Sequence, residues 1–185
     1  MASYDDELLT AARLLLQRPR GLRGRLPGAR IRRSISTTYY AIFHFLLSEV
    51  GSRVVGTGNA LRVRRRALAR TIPHTGAKTA LEKLRGLNAD ASIADFFASG
   101  TGAQQAPVPR FVREFARVFV DAYAKRQDAD YNLNQPFSEA DARLLRARVR
   151  RAIRGWRAAS SAADRDAKSA VCALVLVKGK LRPET

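Results

Sequence analysis

The chain has 185 residues, enough for one domain with a substantial core, and its 34 basic against 16 acidic residues give a formal charge of +18. That excess points to polyanionic partners, RNA or DNA first and acidic proteins second. A single cysteine, Cys172, excludes an intramolecular disulfide, and the longest apolar run, Ala170 to Val177, falls far short of the roughly 20 residues that span a bilayer. The acidic start, Met1 to Glu7, lacks the basic and apolar character of a signal peptide, so a cytoplasmic protein with no membrane partner is expected. Arginine outnumbers lysine 28 to 6. Either a specific basic site or a compositional bias spread over a solvated surface accounts for that ratio.

In chain order, Asp5 or Asp6 can cap a first helix with Leu8, Leu9, Ala12, Leu15 and Leu16 on one face, ending near Pro19. A basic loop from Arg18 to Leu26 leads to a second helix, Arg30 to Leu47. Ile31, Ile35, Thr38, Ile42 and Phe45 recur there at the three-and-four spacing of one buried face. Arg33, Thr37, Tyr40 and His44 form a polar edge beside it, and no acidic residue lies between Glu7 and Glu49. Gly51 and then Gly56-Thr57-Gly58-Asn59 are expected to break this helix. A helical pattern studded with Arg62, Arg64, Arg65, Arg66 and Arg70 follows and stops at Pro73.

His74 to Lys78 reads as a polar turn. A helix through Leu81, Leu84 and Leu87, a smaller one around Ile93, Phe96 and Phe97, and a connection from Ser99 to Pro107 come next. A long helix carries Phe111, Phe115, Val118, Phe119 and Ala122, and its register continues to Arg126 and Ala129. Ser138 with Asp141 nearly matches a capping box. In the helix after it, Leu145, Val149, Ala152, Ile153 and Trp156 lie opposite Arg143, Arg146, Arg150, Arg154 and Arg157, a core face backed by a ladder of arginines. The segment around Val171 to Val177 reads as a final helix, because nothing else in the chain alternates as strands do.

The chemistry is narrow. His44, His74 and Cys172 are scattered singly, which does not make a metal site, and no Walker-type glycine loop or nucleophile elbow is present. Neither a metal nor a cofactor is expected. His44 can act as a general acid or base, and Arg126 can stabilise an anionic transition state. In the structural alternative, Tyr40, His44, Arg126, Asp130 and Tyr131 form a hydrogen-bonded network that fixes helix register.

Ser36-Thr37-Thr38-Tyr39-Tyr40-Ala41-Ile42-Phe43-His44 resembles the second-helix motif of bacterial HEPN domains, with paired tyrosines, alanine, phenylalanine and histidine in this order. Arg126-Gln127-Asp128-Ala129-Asp130-Tyr131 is similar to that group's later marker, and His74-Thr75-Gly76 is a looser match to a His-Gly turn. The resemblance covers roughly Asp5 to Trp156. It implies an all-helical up-and-down bundle, often dimeric, in proteins tied to RNA cleavage, toxin–antitoxin pairs and defence, many of them metal-independent ribonucleases. Their catalytic arginine, four-to-six-residue spacer and histidine are absent here. Arg70 is too close to His74, Arg66 is too far, and Thr37, Thr38 and Tyr39 occupy the permitted positions before His44. Arg33 and His44 share a helix edge but lie about 16 Å apart along it.

These readings predict an all-α, HEPN-like up-and-down bundle over residues 1–160, with residues 161–185 forming a helix packed on it and a short tail. The expected polar network is Ser36, Tyr40, His44, His74, Arg126, Asp130 and Tyr131, with His44, Arg126 and Tyr131 as candidate catalytic groups. Candidate RNA contacts are Arg30, Arg32, Arg33, Arg62, Arg65, Arg66, Arg143, Arg146, Arg150, Arg154 and Arg157. The expected function is RNA or ribonucleoprotein binding in a stress, toxin–antitoxin or defence system. A ribonuclease toxin and a protein-binding partner of a nucleotidyltransferase-type subunit are the alternatives, and a homodimer is a further possibility.

Overall fold

The structure, a computed structural model, describes residues 3–21, 23–86, 93 and 107–179. Among them it contains seven α-helices and no strand, as the helical periodicity predicts. The helices are α1 (Tyr4–Leu15), α2 (Gly28–Val54), α3 (Arg62–Arg70), α4 (His74–Glu82), α5 (Arg110–Tyr131), α6 (Glu139–Ala158) and α7 (Ala162–Leu176), with a single 3₁₀ turn at Asn59–Leu61. Of the small helix expected around Ile93, Phe96 and Phe97, only Ile93 is among the described residues, where it is helical and buried. Leu87 and the connection from Ser99 lie outside them, apart from Pro107.

The chain forms two compact units. The first is built from Met1–Phe45 and Val118–Arg154. Its core combines Leu9, Ala12 and Leu16 with Ile31, Ile35, Tyr39 and Ile42, Phe119 and Ala122, and Leu145, Val149 and Ile153, all buried. Each set recurs at the helical repeat, so one stripe from each of α1, α2, α5 and α6 leaves water. Tyr39, fully buried, stacks on Phe43 with ring centroids 5.9 Å apart and meets Phe119 and Tyr123 edge-on, each at 5.8 Å. Such ring pairs favour one side-chain arrangement beyond the burial of area alone.

The second unit comprises Leu46–Arg117 and Gly155–Thr185. Trp156, the chain's one tryptophan, is buried there against Phe115 and Phe111, and its indole N–H donates to Glu49 Oε2 at 2.8 Å. Cys172 is buried in α7, and burial pushes its thiol up to about 12, which keeps it protonated and inert. Where α7 ends, Lys178 and Gly179 take positive φ, and the Gly179 N–H donates to Leu174 O at 2.9 Å, closing the helix. Gly179 also lies against α4, where a Cβ on it would stand 3.1 Å from the Ala80 Cα.

Several boundaries differ from those expected. Ser3, not Asp5 or Asp6, is the cap residue of α1, and its hydroxyl donates to Asp6 Oδ2 at 2.7 Å. Helix α2 runs through Gly51 to Val54, and the stem of Arg65 lies across that glycine, where an added Cβ would stand 3.4 Å from the Arg65 Cβ. The segment from His74 is the first turn of α4 and not a loop, with Pro73 at its cap position. Ser138 and Asp141 do close a reciprocal cap on α6, at 2.9 and 3.1 Å. Ser161 and Asp164 do the same for α7.

Candidate functional site

Four-residue spacing puts Ser36, Tyr40 and His44 on one edge of α2, and Arg126 and Asp130 on one edge of α5. In the first unit these edges meet. Arg126 Nε lies 2.7 Å from Asp130 Oδ2, and the Ser36 hydroxyl donates to the same oxygen at 3.3 Å. Arg126 Nη2 donates to the Tyr40 hydroxyl at 3.3 Å and lies 3.5 Å from that of Tyr131. Its guanidinium carbon stands 5.8 and 5.2 Å from the centroids of those two rings, within cation–π range. Nη1 donates to Gln127 Oε1 at 2.8 Å, and Gln127 Nε2 donates to the Tyr123 hydroxyl at 3.0 Å, which ties the cluster to the Tyr39 core.

Burial opposes the charge on Arg126. The Tyr40 hydrogen bond, the Asp130 charge and Tyr131 outweigh it, and its pKa is raised from the ordinary guanidinium value. Burial is also the main cause that raises the Tyr39 phenol, so that phenol stays neutral. Arg126 is thus a fixed positive charge already engaged by four side chains.

His44 is one turn beyond Tyr40 and half-buried. Its ring meets Tyr4 edge-on at 5.0 Å and lies 6.3 Å from Tyr40 and 5.9 Å from Phe43. Among the described residues no hydrogen bond reaches its imidazole. Burial lowers its pKa below the usual histidine value, so the ring is neutral at pH 7, the state a general base requires. Tyr4, which covers this ring and is 57% exposed, was not among the residues expected from the sequence, because nothing local links it to a position forty residues on. Tyr131, 71% exposed, forms the outer edge of the cluster. His74 is the first residue of α4, in the second unit.

The arginines divide into two kinds. Arg30 donates to the carbonyls of Leu14, Leu15 and Gln17 at 3.0 to 3.3 Å, which closes the carboxyl end of α1. Arg32 does the same for α5, reaching the carbonyls of Asp128, Ala129, Asn132, Leu133 and Gln135 at 2.6 to 3.1 Å and lying over the Phe137 ring. Arg65 donates to the carbonyls of Gly56 and Gly58, just past α2. Helix carboxyl ends leave carbonyls without partners and carry partial negative charge, and a guanidinium satisfies both needs. Arg143 has a longer contact of this type, to Leu16 O at 3.4 Å. By contrast, Arg33, Arg62, Arg66, Arg150, Arg154 and Arg157 are exposed, and Arg146 is half-buried.

No described group of three or more His, Cys, Asp or Glu side chains could hold a metal ion, and no described helix is long and apolar enough to cross a membrane. Comparison of the chain with known protein families, characterised proteins and solved structures finds no match.

Proposed function

We propose that this protein binds RNA through its exposed arginine faces, as a HEPN-like helical protein of a stress or defence system. The observation that carries the reading is α3. This nine-residue helix buries none of its side chains and presents Arg62, Arg64, Arg66 and Arg70 to solvent, within a stretch that has no acidic residue between Glu49 and Glu82. Guanidiniums without carboxylates to neutralise them attract a phosphate backbone and release its counterions. The exposed Arg150, Arg151 and Arg154 of α6 add a second arginine face, in the first unit. The HEPN-like motifs supply the link to RNA. The engagement of Arg126 by Asp130, Tyr40, Tyr131 and Gln127 favours an anchoring role for that cluster over a catalytic one.

A second reading rests on His44. A neutral, half-buried imidazole beside a phenol that contacts a guanidinium is suited to deprotonate a ribose hydroxyl while positive charge stabilises the phosphorane, so a metal-independent ribonuclease is the alternative.

Binding of a labelled single-stranded RNA, measured across a salt series, tests the first reading. Affinity should fall linearly on a log–log plot, by about 0.7 decades per decade of salt for each phosphate contacted. A flat response or no binding removes the RNA reading and favours an acidic protein partner. Incubating the same RNA with protein in chelator, alongside His44→Ala and Arg126→Ala, tests the second. Cleavage that either change abolishes would establish the nuclease.

A further inference from the structure

We infer that Arg13, Arg143, Arg146 and Arg150 form a binding site for one phosphate group between α1 and α6 in the first unit. Arg143, Arg146 and Arg150 are spaced three and four apart, so they share one edge of α6 over about 10 Å. Arg13 comes from the last turn of α1, and the Arg143 contact to Leu16 O, just past that helix, brings the two elements together.

What marks this cluster is the state of Arg146. Its Nε is buried and has no hydrogen-bond partner. Buried donors without acceptors are costly and uncommon in folded proteins. The Nε atoms of Arg53, Arg113 and Arg126 also lack a well-aligned acceptor; Arg53 and Arg126 each have a carboxylate oxygen nearby, at 3.5 and 2.7 Å, while Arg113, in the second unit, shares the state of Arg146. Arg146 has no carboxylate within ion-pair distance among the described residues. Glu139, the acid that meets Arg143, is divided between that residue at 3.4 Å and Arg18 at 3.8 Å. Burial first, and then repulsion from Arg150, Arg13 and Arg143, pulls the Arg146 pKa below the ordinary guanidinium value.

Of these four guanidiniums from two helices only Arg143 meets a carboxylate among the described residues, and Arg146 carries a buried unmatched donor. The planar fork of arginine suits a tetrahedral oxyanion, and a phosphate would supply an acceptor to Arg146 and remove the mutual repulsion. Arg30 and Arg143 already meet the carbonyls at the end of α1, so the need to cap that helix does not explain the other three. Resting on the RNA-binding reading, the site assigns that phosphate to an RNA backbone and makes Arg146 the anchoring contact.

Inorganic phosphate is the first probe. At matched ionic strength against chloride, it should raise the melting temperature of the wild-type protein by about 3 °C. The increment should vanish in Arg146→Gln and shrink in Arg13→Gln, while Arg151→Gln, an exposed change on the same helix, should keep it. Without phosphate, Arg146→Gln should melt no lower than wild type, because it removes a repelled charge. A merely structural arginine would give the opposite result. An equal phosphate increment in all four proteins would overturn the site.

RNA is the second probe. Arg146→Gln should weaken binding about tenfold and lower the salt slope by about 0.7. Phosphate stabilisation that depends on Arg146 in a protein without RNA affinity would keep the anion site and remove the RNA reading. RNA binding that Arg146→Gln leaves intact would overturn the site as an RNA contact.

Discussion

Arg32 donates to the carbonyl of Asp128 at 3.1 Å, across 96 positions of sequence. Four further carbonyls share the same guanidinium. One side chain near the start of α2 therefore completes the carboxyl end of α5, where α-helical bonding leaves acceptors unsatisfied. Truncation to alanine takes this donor from the partly buried carbonyls of Asp128 and Ala129 and from the three exposed ones beyond them. Arg32→Ala should lower unfolding stability by about 2 kcal/mol, read as a fall in urea midpoint at constant slope. Arg32→Lys should recover less than half of that loss, because a single ammonium cannot address five acceptors spread over a turn. Full recovery by lysine would show that charge at the helix end matters and the fork does not.

The His44 environment makes a prediction about pH. Because burial lowers its folded pKa, the unfolded chain takes up a proton first as pH falls. The stabilising contribution of the neutral ring is complete above the unfolded value near pH 6.5 and declines until pH passes the folded value, below which it stays lost. Wild-type protein should lose stability between about pH 7 and 5, and His44→Phe should lose less over that interval. Parallel stability profiles for the two proteins would contradict the assignment.

Gly179 fixes the close approach of α4 to the end of α7 in the second unit. A methyl group there would meet the Ala80 Cα at 3.1 Å, and its φ of 72° is one that alanine adopts poorly. Neither backbone can yield as a flexible side chain would. Gly179→Ala should therefore cost about 1–3 kcal/mol by combined strain and crowding. Emission of Trp156, which is buried in the same unit, gives a direct unfolding signal.

Helix identities were legible wherever burial is periodic. Leu145, Val149, Ala152, Ile153 and Trp156 are buried along α6 as their spacing predicts, and Phe115, Phe119 and Ala122 along α5. The end of α2 was not, because glycine usually ends a helix but Gly51 instead admits the stem of Arg65. The polar cluster was legible in its members from α2 and α5, which share motif-like spacing, whereas Tyr4 over His44 depends on tertiary packing alone. The arginines were hardest to sort. Arg32 and Arg33 are neighbours of one type, yet the first turns to the end of another helix and the second is exposed. Only the position of distant carbonyls separates them.

The first unit is discontinuous in sequence, formed by Met1–Phe45 and Val118–Arg154 with 72 residues of the second unit between them. During vectorial synthesis at about 5–20 residues per second, α1 and the first half of α2 wait several seconds for α5 and α6. Throughout that interval Ile35, Tyr39 and Ile42 lack Phe119 and Val149, and Arg32 lacks its acceptors. The nascent chain passes through a stage in which an apolar helix face is displayed beside a highly cationic loop. Chaperone engagement should therefore peak before residue 135 leaves the ribosome, the last carbonyl that Arg32 grips.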